Sequence, residues 1–386
     1  IIASAIEVWL FQAKGISATL VKGEKDMFRK FALIWVIIVL PLAVIISGCG
    51  EDETASGNTG FDEVEYSTEW TITVQPSGAS VVLQEVFADS VTGNVWVVGN
   101  DGVILNSIDR GASWTPQVSG MAGTTLYSVY FVNEIVNGVK GPAEIGWAVG
   151  DGGVIIHTED GGATWEPQVS GITGQLRSVF FADRSNGWAV GAAGLIMATR
   201  NGGDEWGTQA EGITNQDLES IDFAPPAIGE VVVSDGWAVG LNATIIHTGD
   251  GSRWTKQNPA RGLNNEALYG VFFDSSSKGW AIGDLGPMIL NTSNGGATWG
   301  SSPAHHAGSK NLYDLFFISA ADGWAVGSGG KILHMTSAGD WKGVITEVSE
   351  GINVPLWGVA FVDHSEGWAV GGTEDDPGII LNVKAQ

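Results

Sequence analysis

The sequence predicts an all-β fold, a seven-bladed β-propeller with four antiparallel strands per blade, closed by the N-terminal strand around Trp70. Three observations predict it. The chain repeats itself: Trp96, Trp147, Trp188, Trp237, Trp280, Trp324 and Trp368 each mark one copy of a unit, at steps of about 41–51 residues, the range in which propeller blades recur. Each copy holds four short runs rich in Val, Ile, Phe, Trp and Thr, divided by Gly, Asn and Asp, with no 3.6-residue periodicity. The last copy lacks its fourth run, and a match for it stands at the front, in "STEWTITVQPSG" from Ser67 to Gly78.

The copy from Leu126 to Gln168 shows the elements most fully. Run A is "LYSVYF", B is "GWAVG", C is "GVIIHT" and D is "ATWEPQ". Runs A to C are apolar on consecutive residues, as expected of strands covered on both faces by neighbouring blades. The final copy ends after run C, "GIILNV" from Gly378 to Val383. Strands from both termini then share the seventh blade, which removes the free edges that invite aggregation. Two A–B connections, Val132 to Gly146 and Ala224 to Gly236, are longer than the rest and read as insertion loops.

Ahead of the propeller, expected over 66–386, the chain divides in three. Residues 1–26 read as an over-extended reading frame, since a start with basic residues stands at Met27-Phe28-Arg29-Lys30. Residues 27–48 form a signal peptide: a basic start, the apolar run Phe31 to Ser47, then small residues. Ile46-Ser47-Gly48-Cys49 resembles the lipobox of bacterial lipoproteins, which makes Cys49, the only cysteine, the expected lipidation site. Residues 49–65 are acidic and poor in apolar side chains, a tether from lipid to propeller. The expected location is the cell envelope, periplasmic or extracellular, with Gly50 after the cysteine favouring the outer membrane.

Between runs C and D recurs an Asp-box, Ser/Thr-x-Asp/Asn-x-Gly-x-Ser/Thr-Trp. Its anchors are Asp109 and Trp114, Asp160 and Trp165, Asn201 and Trp206, Asp250 and Trp254, Asn294 and Trp299. Such an Asp or Asn closes a turn by bonding nearby backbone amides. The motif recurs in graded quality, as scaffolding does and a catalytic motif does not. Sialidases share this box and grip a carboxylate with three convergent arginines. Here Arg110, Arg184, Arg200 and Arg253 fall on one face and only Arg177 and Arg261 near the other. A different glycosidase needs two carboxylates some way apart, for which Glu85, Asp314, Glu219 and Asp222 are candidates on innermost strands. His157, His247 and His334 share one run-C position in separate blades, and His305-His306 lies in a D–A loop; no metal and no cofactor is expected.

The charge bounds the partners. With 43 acidic residues against 18 basic, formal net charge −25, nucleic acid is excluded as a partner. A propeller binds where innermost strands and D–A loops form a funnel. The residue after the run-A leucine varies there: Gln84, Tyr127, Arg177, Glu219, Tyr269, Tyr313, Trp357. These seven are the candidate partner-binding ring, mixed aromatic and polar, suited to a protein segment or a glycan.

"GWAVGDGGVIIHTEDGGATW" together with "LRSVFFAD" resembles the photosystem II stability/assembly factor family and its bacterial relatives, over residues 66–386. The resemblance implies a seven-bladed, often lipid-anchored, non-enzymatic protein that helps assemble membrane complexes by holding a partner polypeptide. The photosynthetic members are noted for an arginine-rich patch, whereas this chain is poor in arginine and acidic. The expected function is a non-catalytic protein-binding or assembly scaffold; the alternative is a carbohydrate-binding or glycoside-hydrolase-like propeller.

Overall fold

The computed structural model describes residues 70–136, 138–209, 212–225, 235–258, 263, 265–286, 288–303, 311–335, 340–344 and 351–386. Cys49 and residues 1–65, Arg261, His305-His306 and most of the Ala224–Gly236 insertion lie outside them. All described residues belong to one compact unit, Ser67–Gln386.

They form 28 strands in seven four-stranded antiparallel sheets. Blade 1 comprises β2 (Leu83–Ala88), β3 (Val95–Gly99), β4 (Ile104–Ser107) and β5 (Thr115–Gln117). Blade 2 has β6 (Leu126–Val136), β7 (Val139–Gly150), β8 (Ile155–Thr158) and β9 (Glu166–Gln168). Blade 3 has β10 (Leu176–Phe181), β11 (Gly187–Gly191), β12 (Ile196–Thr199) and β13 (Gly207–Gln209). Blade 4 has β14 (Leu218–Phe223), β15 (Gly236–Gly240), β16 (Thr244–Thr248) and β17 (Trp254–Lys256). Blade 5 has β18 (Leu268–Phe273), β19 (Gly279–Gly283), β20 (Met288–Thr292) and β21 (Gly300–Pro303). Blade 6 has β22 (Leu312–Ser319), β23 (Asp322–Gly327), β24 (Lys331–Met335) and β25 (Trp341–Gly343). Blade 7 has β26 (Leu356–Asp363), β27 (Glu366–Gly371), β28 (Ile379–Ala385) and, as its outermost strand, β1 (Trp70–Gln75).

The N-terminal strand closes the ring as the sequence predicts. β1 pairs with β28 from Trp70 opposite Ala385 to Gln75 opposite Ile380, and Ile72 is buried in the seam. Each innermost strand touches the next, β2 to β6 and so on round to β26 and back to β2.

The B-run strands are buried at every residue in blades 1 and 3 to 5, as consecutive apolar residues require. The A-run strands differ from expectation. β10 is buried at Leu176, Val179 and Phe181 but half-open at Arg177, Ser178 and Phe180. Phe180 lies between Tyr130 and Phe223 of the two adjacent innermost strands, which cover it only in part.

The insertion read as a loop at Val132 to Gly146 is instead a β-hairpin, continuing β6 and β7 past the blade. Its two strands pair as far as Val136 opposite Val139, and Gly138 takes φ +78°. Buried Asp89 of blade 1 ties its base, accepting from Asn133 Nδ2 at 2.8 Å and the Ala143 amide at 3.2 Å. Arg184 of blade 3 holds Glu134 at 3.1 Å on the other side. A cleft of ≈ 230 Å³ lies between hairpin and blade 3, against Val132, Pro142, Ile145 and Arg184.

Candidate functional site

The Asp-box residues sit in turns between third and fourth strands and serve blade contacts. Asp160 Oδ1 accepts from Thr158 Oγ1 and the Thr164 amide, both at 2.8 Å, and Oδ2 accepts from Thr164 Oγ1 at 2.7 Å. Asp109 repeats the pattern, and Asn201 and Asn294 reproduce the Oδ1 part of it. Hydrogen bonds from Ser113 hold the Asp109 carboxyl below the usual range, and the Arg253 and Ser252 amides do the same for Asp250. Carboxylates saturated by their own turn are poor proton carriers.

The turn's purpose is the carbonyl it projects. Trp96 Nε1 donates to Gly161 O of the next blade at 2.9 Å, Trp147 to Gly202 O at 3.0 Å, Trp188 to Gly251 O at 2.8 Å and Trp237 to Gly295 O at 3.2 Å. A glutamine at the end of the fourth strand completes the latch. Gln168 Nε2 donates to Gly202 O at 2.8 Å, while its Oε1 accepts from Trp206 Nε1 at 3.1 Å. Gln117 repeats this with Gly161 and Trp165. The next glycine, Gly162, has φ +88°, and a β-carbon there would collide with the Gln117 amide. These glutamines were missed in the sequence; their signal was the recurrence of Gln three residues after the D-run tryptophan.

The seven candidate ring residues occupy one equivalent position, at the start of each innermost strand. In all seven blades the pairing of first and second strands slips between the run-A leucine and the residue two beyond it. Gln84, Tyr127, Arg177, Glu219, Tyr269, Tyr313 and Trp357 are the bulged residues. A β-bulge re-aims its side chain out of the ladder. The glycine closing each second strand makes room: at Gly191 a β-carbon would run into the Gln175 carbonyl.

Neighbours touch in two groups, Tyr127–Arg177–Glu219 and Tyr269–Tyr313–Trp357. The Arg177 guanidinium lies 4.5 Å over the Tyr127 ring, its Nη2 donates to Gln175 Oε1 at 2.9 Å, and its Nε stands 3.9 Å from Glu219 Oε2. Tyr269 meets Tyr313 at 5.4 Å between ring centroids, and Tyr313 meets Trp357 at 4.3 Å. Trp357 Nε1 donates to Gly372 O at 3.3 Å and Gln84 Nε2 to Asn100 Oδ1 at 2.9 Å. All seven are half-buried.

The family described as "Photosynthesis system II assembly factor YCF48" matches residues 62–171 and 168–261, together just over half of the chain. The chain belongs to this YCF48 family. No curated protein sequence matches it significantly. Among solved structures, one described as YCF48 bound to D1 peptide superposes with TM-score 0.64 at 18% identity, covering 82% of this chain and 96% of that one. YCF48 from Cyanidioschyzon merolae gives 0.62 at 17% identity, over 81% and 98%. The WD40 propeller domain of Doa1 gives 0.60 at 13% identity, over 82% and 98%. At such identities the likeness is one of fold.

Deeper in the channel of this YCF48-family propeller, the four candidate carboxylates are not equivalent. Glu219 is at the mouth. Asp314 and Asp222 hold backbone amides of the next blade, as serines do elsewhere, whereas Glu85 bonds within its own strand. Ser128, Ser178 and Ser220 Oγ accept from the Val179, Ile221 and Val271 amides of the next blade, each at 3.3 Å. Asp314 Oδ2 accepts from the Val359 amide at 2.8 Å and Asp222 Oδ2 from the Phe273 amide at 2.7 Å. Gly358 has no side chain to continue the series, and Glu85 turns back into the space beside it to take the Val86 amide at 2.8 Å. Glu85 and Asp314 thus flank the blade 7 strand from its two sides.

Burial and the nearby Asp314 charge push the Glu85 carboxyl well above the carboxylate range. Burial pushes Asp314 and Asp222 up to about 7. The histidines do not meet. His157 and His334 stack on Trp147 and Trp324 of their own blades and His247 lies tilted on Trp237, and His334 Nε2 lies 2.9 Å from Asp322. Among the described residues no cluster with metal-binding geometry forms.

The raised carboxyls set a pH dependence. An acid whose pKa rises on folding keeps its proton in the folded state after the unfolded chain has lost it. Its stabilising effect is therefore full below about 3.8 and is lost as pH rises to about 7. Asp109 and Asp250 act oppositely, stabilising above the unfolded value and ceasing to do so below it. The melting temperature of residues 66–386 is expected to peak near pH 4–5 and fall toward pH 8. Asp222→Asn keeps an acceptor for the Phe273 amide and removes the titration, worth at most about 4 kcal/mol. It should raise stability at pH 8 and change little at pH 4; equal melting shifts at both pH values would refute the assignment.

Proposed function

We propose that the protein is a non-catalytic assembly scaffold that holds a segment of partner polypeptide at the channel mouth. The observation that carries this is the ring itself. All seven of its residues are bulged out of regular pairing toward one opening, and four of them are aromatic. A rigid rim of half-buried aromatic and polar side chains gives contact area at low entropic cost. Membership of an assembly-factor family, and a related fold described in complex with a peptide, support the same reading. The carbohydrate alternative gains nothing from Glu85 and Asp314, whose oxygens are engaged with blade amides. Lipid attachment at Cys49 would tether the propeller to a membrane of the bacterial envelope.

The test is in-cell photocrosslinking of the full chain with the probe at Gln84 on the mouth or at Ser113 on the opposite face. One or two membrane-complex subunits should crosslink from Gln84 and not from Ser113, and the yield should fall at least about tenfold in Trp357→Ala, a residue of the size that dominates protein interfaces. Equal yields from both faces, or indifference to Trp357→Ala, would sink the proposal.

A further inference from the structure

The mouth contains its own example of how it holds a cation. Arg177 lies over Tyr127 with Glu219 beside it. An aromatic face with a neighbouring carboxylate is the arrangement that favours a guanidinium or ammonium. Across the opening, Tyr269, Tyr313 and Trp357 form a second, longer aromatic arc. Exposed Asp284 follows β19, and its amide donates to the Ala267 carbonyl at 2.8 Å, two residues before Tyr269; burial first, and the Asp284 charge beside it, raise the hydroxyl pKa values of Tyr269 and Tyr313. Among the described residues, the cations seated over aromatic rings are Arg177, Arg200 and Lys278, and none lies over this arc. Asp284 makes no ion pair with a described residue. Asp101, Asp151, Asp217 and the run Glu374 to Asp376 occupy connections at the same end.

We infer that the second arc takes a lysine or arginine side chain of the partner polypeptide, seated on Tyr313 and Trp357 with Asp284 as counter-charge. This rests on the mouth being a peptide site. The first arc is already neutralised by Arg177, so the second is where an added cation gains both the ring faces and a carboxylate with no ion pair among the described residues. The opening then selects basic segments, and its acidic rim repels acidic ones and steers basic ones inward.

The test is display of a random peptide library against residues 66–386, keeping peptides whose binding is lost in Trp357→Ala. Those peptides should be enriched in Lys and Arg. For one synthetic peptide, replacing its key Lys by Gln should weaken binding about 2- to 30-fold. Asp284→Asn, an exposed change that should leave the melting temperature alone, should weaken the Lys peptide and not the Gln peptide. Mouth-binding peptides without basic enrichment and indifferent to Asp284→Asn would overturn the cation site while leaving the peptide site standing. No peptide sensitive to Trp357→Ala would overturn both. Binding of phosphatidylcholine vesicles in place of peptides would overturn the polypeptide occupant.

Discussion

A chain beginning at Ser77, without β1, is expected to lose cooperative monomeric folding that a chain beginning at Ser67 retains. Blade 7 draws its outermost strand from the N-terminal side, and six residue pairs join it to β28. Removing it uncovers the β28 backbone edge and the side chains of Leu381 and Val383, both fully buried. A bare apolar edge pairs with another chain. Size-exclusion chromatography should show oligomers or aggregate, and calorimetry should lose the single transition. The graded version is Ile72→Ala, which empties a position 1% exposed and should cost about 2–5 kcal/mol. Val74→Ala, on the same strand but 57% exposed, should stay within about 0.5 kcal/mol. If the Ser77 chain melts as a monomer at the parent temperature, closure by β1 is not what holds the ring.

Trp147→Ala should be the most damaging single substitution at a blade interface, by about 3–5 kcal/mol in urea denaturation. The indole is fully buried, stacks on Phe181 of blade 3 with ring centroids 3.4 Å apart and planes within 7°, and donates to Gly202 O of the same blade. Trp147→Phe separates the two contributions. It keeps most of the stacking and removes the donor, so the loss should be about 1–2 kcal/mol. Trp368 supplies the internal control. Among the described residues its Nε1 is buried with no hydrogen-bond partner, so Trp368→Phe removes an unsatisfied group and should cost less than Trp147→Phe. The reverse order would mean that the indole-to-carbonyl latch contributes nothing and that ring area alone sets the cost.

The two predictions draw on features of different legibility. Blade number, strand order and the capture of β1 by blade 7 were readable because each rests on a local pattern. The repeated "GWAVG" run is buried throughout, and "STEWTITVQPSG" matches the fourth run missing at the other end. The ring residues were readable as a variable position after a constant leucine. What bulges them was not, because the slip in pairing appears only when first and second strands are aligned in space. The Val132–Gly146 hairpin passed for a loop because its Gly and Pro content outweighed the turn signal at Asn137-Gly138.

By itself, the sequence determined the closed seven-bladed fold, since a repeating unit that cannot cover its own faces must stack on copies of itself until no edge remains. Tertiary structure decided everything that joins residues of different blades. The Trp–Gly–Gln latch spans neighbouring repeats. Glu85 and Asp314, far apart in the chain, flank one strand because the ring closes. Aromatic Tyr269, Tyr313 and Trp357 become one surface with Asp284 only when three blades are set side by side. Periodicity along a chain carries the first kind of information; distances between blades carry the second.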